Sequence, residues 1–244
     1  MNKFEHKYFI HYYDIDKNRK ATITSLMRYF EDIAILHSES RGLGLDYYDE
    51  NNVGWFLYKW DIQISEYPNF ADTITLITEP KAYKGFYANR EYTILGDDKM
   101  LGKINTLWIF MDTAKMRPKK INTEMHDNFW LDSNADGINK LDDLETLNTP
   151  LVVKQFDVRQ SDIDTNNHVN NRVYIDWALE TVPIEIKETG TLKSLKVTYM
   201  KQLSYGDSIE ACSEMIEENS SVKFIHSIRS NSKEYCRLQS TWKL

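Results

Sequence analysis

The chain has 244 residues, enough for one large domain or two of about 120, and its 13% aromatic content argues against disorder. Thirty basic residues against thirty-seven acidic ones leave a net charge of −7, which would repel a phosphate backbone and argues against broad nucleic-acid binding. The start, MNKFEHKYFIHYYDID, has no apolar run of the secretory-signal kind, and no stretch approaches the roughly eighteen apolar residues of a membrane span. A soluble cytoplasmic protein with no membrane association is expected.

In chain order, an Asp-rich turn (YDIDKN, 13–18) leads into a helix over about 23–41. There Leu26, Met27, Phe30, Ile33, Ala34 and His37 recur at three- and four-residue spacing, and Gly42 stops the run. Runs rich in β-branched and aromatic residues then predict strands at 55–64, 73–83, 87–95 and 103–112. Residues 131–150 are acidic, turn-rich and poor in aromatics, and read as a connection with at most a short helix. A second Asp-rich turn (161–169) precedes a helix over about 170–181, where Val173 pairs with Trp177 and Tyr174 with Ala178 before Pro183. Strands are predicted at 192–200, 207–216, 222–230 and 234–244.

The two halves repeat each other. D-I-D-x-N places Asp14, Asp16 and Asn18 against Asp162, Asp164 and Asn166, Asp72 aligns with Asp207, and NTLWIF (105–110) aligns with QSTWKL (239–244), all in the same order. Each half therefore reads as a helix followed by an antiparallel meander that covers it. The domain boundaries expected are 1–130, a linker at 131–150, and 151–244.

The segment SDIDTNNHVNN (161–171) carries the densest chemistry. Asp162, Asp164 and Asn166 fit positions one, three and five of a calcium loop, but that loop needs Gly at six and Glu at twelve, where Asn167 and Val173 stand. No metal or cofactor is expected. Asn170 or Asn166 suits a helix cap, and Asp162 can serve the same turn. Caps need no histidine, however. Asp164, Asn166 and His168 fall at alternate positions just ahead of a helix N-terminus, so their side chains can converge where a positive dipole favours developing negative charge. A carboxylate, an amide and an imidazole there suit acyl transfer from a thioester. Serine chemistry at GDS (206–208) lacks a G-x-S-x-G elbow. Cys212 and Cys236 have no short pairing motif and read as buried thiols, although His226 could approach one across a sheet.

DIDTNNHVNNRVYIDWALE (162–180) resembles the D-L-D-x-N-x-H-V-N-N…Y-I-x-W-x-L-E motif of the acyl-acyl-carrier-protein thioesterases of plant plastids and bacteria. WFLYKWDIQISEYPNFADTITLIT and INTLWIFMDTAKMRPKKI resemble the same family in the first half, so the likeness covers nearly the whole chain. The resemblance implies an α+β tandem (double) hotdog fold, each half a long helix wrapped by an antiparallel sheet. It implies that the first half binds the acyl chain and the second is catalytic, and that Asp164, Asn166 and His168 match the family's catalytic Asp, Asn and His. Lys20 stands where the first copy would need its histidine, so one site per chain is implied.

One position departs from the family. Where it usually carries a glutamate followed, in plants, by cysteine, this sequence has Gln202 and Leu203. Leu203 removes a cysteine nucleophile, and Gln202 cannot take up a proton as a carboxylate would, which shifts the proton chemistry toward Asp164. The implied activity is hydrolysis of fatty acyl-acyl-carrier protein to free fatty acid and holo-carrier protein; the alternatives are an acyl-CoA thioesterase and a non-catalytic acyl-binding protein. The implied partner is an acidic acyl carrier protein whose phosphopantetheine arm bears the acyl group. KMRPKK (115–120), Arg172, Lys193, Lys196 and Lys201 are candidates for docking it, and Phe30 and Ile33 could line an acyl tunnel. Either a monomer or a homodimer is compatible with two hotdogs in one chain.

Overall fold

The computed structural model describes residues 3–129, 137–164, 167–218 and 220–244. It divides into two compact units, one of Met1–Tyr58 with Ile64–Leu141 and one of Lys59–Gln63 with Asp142–Leu244.

The first unit contains β1 (Phe4–Phe9), α1 (Ile23–Glu39), α2 (Leu45–Asn51), β2 (Val53–Ile64), β3 (Thr73–Lys84), β4 (Tyr87–Gly96), β5 (Lys99–Asp112), β6 (Arg117–Pro118) and α3 (Thr123–Phe129). Its strands run in the order β1-β3-β4-β5-β2, with short β6 hanging on β5. α1 packs on β1 and β3. Its buried stripe is the one its spacing predicts: Leu26, Met27, Phe30 and Ile33 are each 0% exposed, and such a side chain contributes roughly 1.5–3 kcal/mol by leaving water. Thr22 caps the helix, its hydroxyl accepting from the Ser25 N–H at 3.1 Å. Gly42 ends it in the left-handed region at φ +69°, where other residues are strained, and the chain folds back so that the Leu43 N–H reaches the Ser38 carbonyl at 3.0 Å.

In the second unit come β7 (Val152–Asp157), α4 (Asn171–Leu179), α5 (Ile184–Thr189), β8 (Thr191–Tyr199), β9 (Ser208–Glu218), β10 (Ser221–Ser230) and β11 (Lys233–Lys243). The strand order is β8-β11-β10-β9-β7, and residues 59–63 pair antiparallel with β8. α4 packs against β9, β10 and β11 through Val173, Tyr174, Trp177 and Ala178, all buried. The helix is shorter than α1 because Thr181 folds its hydroxyl onto the Ala178 carbonyl at 2.7 Å and Pro183, lacking an N–H, restarts the chain as α5.

The eight predicted strands are all present, their ends extended or trimmed by a few residues. Edge strands β1 and β7, the two-residue β6 and the short helices α2, α3 and α5 were not predicted. Residues 138–150 carry no regular element, and 130–136 lie outside the described residues. Phe30 packs on Tyr92, with ring centroids 5.6 Å apart, and is a core residue of the first unit. Among the described residues no helix is long and apolar enough to cross a membrane.

Candidate active site

The loop from Arg159 to Asn170 is held from within. Asp162 is 3% exposed and accepts from the Arg159 N–H at 2.9 Å and from its guanidinium at 2.9 and 3.2 Å, closing a turn of 3-10 helix. That carboxylate is committed to a cation, which removes the first ligand of a calcium loop. The Asp162 carbonyl then accepts from the Asn170 N–H at 2.8 Å, so the loop returns to its starting point at the foot of α4.

Between these anchors the Asp164 N–H donates to the His168 carbonyl at 2.9 Å, and the Asn167 N–H to the Asp164 carbonyl at 3.1 Å. Asn167 adopts φ 60°, a conformation Asn tolerates better than most residues, and this tight turn brings positions 164 and 168 together. Ile163 and Val169 form a bridge beneath. Both Asp164 and His168 are half-buried, and Nδ1 of His168 is buried with no hydrogen-bond partner among the described residues. Asn166 lies outside the described residues.

Helix α4 begins directly after this loop. Asn170 is its cap, with the side-chain oxygen accepting from the Arg172 N–H at 3.0 Å, while the Val173 N–H bonds the Asn170 carbonyl at 2.9 Å. These bonds leave the Asn171 N–H as the unpartnered donor of the first turn among the described residues, at the positive end of the helix. The Tyr199 hydroxyl donates to the Asn171 carbonyl at 2.9 Å and fixes this residue.

Gln202 is exposed, and its two neighbours are clamped. The Tyr174 hydroxyl accepts from the Leu203 N–H at 2.9 Å and reaches the Lys201 carbonyl at 3.4 Å, so one side chain of α4 grips the backbone on both sides of Gln202. The Leu203 carbonyl in turn accepts from the Val169 N–H at 2.9 Å, which ties the Gln202 segment to the residue after His168. Leu203 itself is 0% exposed. Sequence reasoning did not find Tyr174 in this role; the available signal was its place on the buried face one turn after the capping Asn170. Burial raises the Tyr174 hydroxyl above its ordinary range, which keeps it neutral and able both to donate and to accept.

The other candidates separate clearly. His226 does not meet either cysteine: Nδ1 lies 3.1 Å from the Thr181 hydroxyl and Nε2 2.8 Å from the Ser240 hydroxyl, and burial pulls its pKa down to about 3. Cys212 and Cys236 are buried free thiols, each raised in pKa by desolvation. Ser208 is exposed and donates to Asp157 at 2.7 Å. Among the candidate docking cations, Arg172 pairs with Asp176, Lys196 with Asp142 at 3.4 Å, and Lys201 lies over the Tyr235 ring. Lys115, Arg117 and Lys120 are exposed and have no ion-pair partner among the described residues.

Two family models match the chain: the acyl-ACP thioesterase N-terminal domain over residues 1–129 and the acyl-ACP thioesterase C-terminal domain over residues 147–244. A chloroplastic acyl-[acyl-carrier-protein] hydrolase FATB1 from Cuphea viscosissima is 28% identical over 221 residues, covering 84% of this chain and 52% of the relative. This chain thus spans about half the length of the curated relatives it matches. Among solved structures, an acyl-ACP thioesterase from Bacteroides thetaiotaomicron superposes with a TM-score of 0.87 at 22% identity, over 99% of this chain and 98% of that one. The 12:0-ACP thioesterase from Umbellularia californica does so with a TM-score of 0.88 at 20% identity, over 99% and 94%. These likenesses identify the fold as the tandem hotdog, and the family models cover nearly every residue. The chain belongs to the acyl-ACP thioesterase family.

Proposed function

We propose that this protein hydrolyses fatty acyl thioesters carried on acyl carrier protein, releasing free fatty acid and the holo-carrier protein. The observation that carries the reading is the turn that sets half-buried Asp164 and His168 together at the foot of α4, within a chain of this family. In this reading the thioester carbonyl points at the start of α4, where the Asn171 N–H receives the developing oxyanion; a donor so placed is worth roughly 10²–10³ in rate. Asp164 delivers the oxygen, either as its own carboxylate, forming an anhydride, or through a water it deprotonates. Asn166 and His168 orient that group and the leaving thiol, and Gln202 orients water through its amide. The first unit holds the acyl chain and the second performs the chemistry.

The carrier is read by charge. The basic run at 115–120, with its exposed and unpaired cations, suits an acidic partner better than Arg172 and Lys196, which already face carboxylates. The test is a thiol-release assay over a series of acyl lengths, each presented both on carrier protein and on coenzyme A. Preferred turnover on the carrier protein is expected. Equal or better turnover on coenzyme A would reassign the carrier, and bound acyl species without thiol release would remove the hydrolytic reading altogether. Single turnover in ¹⁸O-labelled water then separates the two roles of Asp164, since only the anhydride route can leave label in the protein.

A further inference from the structure

The end of β1 and the turn after it carry aromatic rings that the interior does not use. Ile10 is fully buried, but Phe9, His11, Tyr12 and Tyr13 face solvent, as does Phe70 from the neighbouring turn; Tyr12 and Tyr13 are 80% and 72% exposed. They form one surface. The His11 ring stacks on Tyr13 at 5.0 Å and meets Phe9 edge-on at 5.0 Å, and Tyr12 meets Phe70 edge-on at 6.4 Å. The backbone ties the segments together: the Ile10 N–H donates to the Asp72 carbonyl at 2.9 Å, the Ala71 N–H to the Ile10 carbonyl at 3.0 Å and the Phe70 N–H to the Arg19 carbonyl at 2.9 Å. Rings left in water contribute no burial to the fold, and a patch of them marks a contact surface.

The second unit shows that the fold does not require these rings. There the Val158 N–H donates to the Asp207 carbonyl at 2.9 Å, as Ile10 does to Asp72, and a 3-10 turn at Gln160–Asp162 matches the one at Tyr12–Asp14. On that backbone Asp157, Arg159, Gln160 and Ser161 stand where the first unit has Phe9, His11, Tyr12 and Tyr13. The turn that follows differs in charge as well, with Lys17, Arg19 and Lys20 in place of Thr165, Asn167 and His168. Lys7, Arg19 and Lys20 are exposed and have no ion-pair partner among the described residues. The carboxylates beside them are turned to the chain itself. Asp14 is buried and accepts from the Tyr29 hydroxyl at 2.5 Å, Asp16 accepts from the Asn18 and Lys20 N–H groups, and Asp72 accepts from the Asn69 N–H at 2.7 Å. In a chain of net charge −7, the groups that project here are rings and cations.

We propose that this surface, the rings from Phe9 to Tyr13 with Phe70 and the cations of Lys7, Arg19 and Lys20, attaches the protein to an anionic lipid bilayer. Tyrosine and phenylalanine suit the headgroup level, where an apolar ring meets buried tails and a hydroxyl stays wet, and the cations face lipid phosphates. Tyr12 and Tyr13 project instead of lining a groove; a protein partner would have to supply matched pockets, whereas a bilayer interface yields to a projecting ring. The expectation of no membrane association rested on the lack of a spanning segment, and surface attachment needs none. The inference uses no step of the hydrolytic reading and is tested by binding, so loss of hydrolysis has no bearing on it.

The experiment is sedimentation of the full chain with vesicles of phosphatidylcholine alone and of phosphatidylcholine mixed equally with phosphatidylglycerol. The mixed vesicles are expected to bind at least about tenfold more tightly, and raised salt to remove most of that preference. Tyr12→Gln with Tyr13→Ser should weaken binding to the mixed vesicles about tenfold, and Arg19→Asn with Lys20→His should bring the two vesicle types within about threefold of each other. Each exchange installs what the second unit carries on the same backbone, Asn167 at φ 60° where Arg19 has 61°, so the melting temperature should hold. Binding to neither vesicle, equal binding to both, or a preference that survives both exchanges would overturn the proposal. An exchange of Tyr12 and Tyr13 that spares vesicle binding and weakens binding of acyl carrier protein would also overturn it and make the patch a protein-docking face. Should an exchange not fold, the unaltered protein still decides through the two vesicle types and the effect of salt.

Discussion

At residue 168 the second unit carries a histidine where the first, at residue 20, carries a lysine, and around both positions the backbone is bonded alike. The Asp16 N–H donates to the Lys20 carbonyl at 2.8 Å and the Asp164 N–H to the His168 carbonyl at 2.9 Å. Arg19 and Asn167 hold φ of 61° and 60°, and Thr22 and Asn170 cap the helices that follow. Beneath, Asp14 and Asp162 are 2% and 3% exposed and receive the His11 and Arg159 N–H groups at 2.9 Å each. The difference lies in what the shared turn presents. Asp16 and Lys20 are exposed, and Oδ1 of Asp16 folds back onto the N–H groups of Asn18 and Lys20 at 2.8 and 3.1 Å. Asp164 and His168 are half-buried, with an imidazole nitrogen shut away from water. The same backbone turn thus stands in both units, while only the second sets a carboxylate residue and an imidazole half-buried beside it.

Replacing each aspartate by its amide tests that contrast most severely. Asp164→Asn is expected to lower thiol release at least about a thousandfold, since it removes the group that delivers the oxygen in the proposed mechanism, with an unchanged melting temperature. Asp16→Asn should leave turnover within about twofold, because its amide oxygen still accepts the two turn bonds. A strong loss in Asp16→Asn, or activity retained in Asp164→Asn, would undo the division of roles.

The units also match in holding one buried neutral histidine each, and this sets a common acid sensitivity. His37, facing Arg90 and Arg41, and His226, between Thr181 and Ser240, both have folded pKa values of about 3. An unfolded histidine titrates near pH 6.5. Below that point the unfolded chain binds a proton the folded chain refuses, so the stability present above pH 6.5 is lost as the pH falls toward 3. The slope is about 1.4 kcal/mol per pH unit for each histidine. Denaturant unfolding between pH 6.5 and 5, above the carboxylate range, isolates this contribution. His226→Gln should remove about half of the slope; an unchanged slope would mean that His226 is protonated in the fold.

The sequence displayed the interior of this architecture better than its margins. α1 is legible because a buried helix against a sheet must repeat apolar residues at three- and four-residue spacing, and Leu26, Phe30 and Ile33 do so. β1 and β7 were missed for a physical reason. Most of their residues are exposed, in Phe4–Phe9 and Val152–Asp157, so their strand state comes from pairing with β3 and β9 and leaves little alternation behind. The split into α4 and α5 was half visible, since Pro183 announced an end but not a restart. At the site, Asp164 and His168 could be placed together because the turn between them is local. The grip of Tyr174 on residues 201–203 joins positions 29 apart, and no spacing rule predicts such a contact.

Charge separates the halves a third time. Reversing Lys119 and Lys120 to glutamate in the basic run of the first unit is expected to slow turnover on carrier-protein substrates about tenfold and to leave a short soluble thioester unaffected. Reversing Lys196, already paired with Asp142, should do less. An equal loss on both substrates would mean that the run supports the fold rather than the partner.

The smallest expected effect concerns Gln202. The side chain is exposed on a segment whose flanks are fixed by Tyr174 and whose following carbonyl is bonded to Val169, so a carboxylate introduced there costs little in desolvation and keeps its position. Gln202→Glu is therefore expected to hold or raise turnover, by at most about threefold, because in the proposed mechanism Asp164 already delivers the oxygen and a second carboxylate only adds a route for the proton. The gain should depend on the clamp. In a Tyr174→Phe background, which leaves the Leu203 N–H without its acceptor, Gln202→Glu should give no gain, whereas a gain of the same size in both backgrounds would show that the segment needs no holding. A large loss on Gln202→Glu alone would mean that the amide has work a carboxylate cannot do, such as donating an N–H to the attacking water, and the proton chemistry assigned to Asp164 would then have to be shared with it.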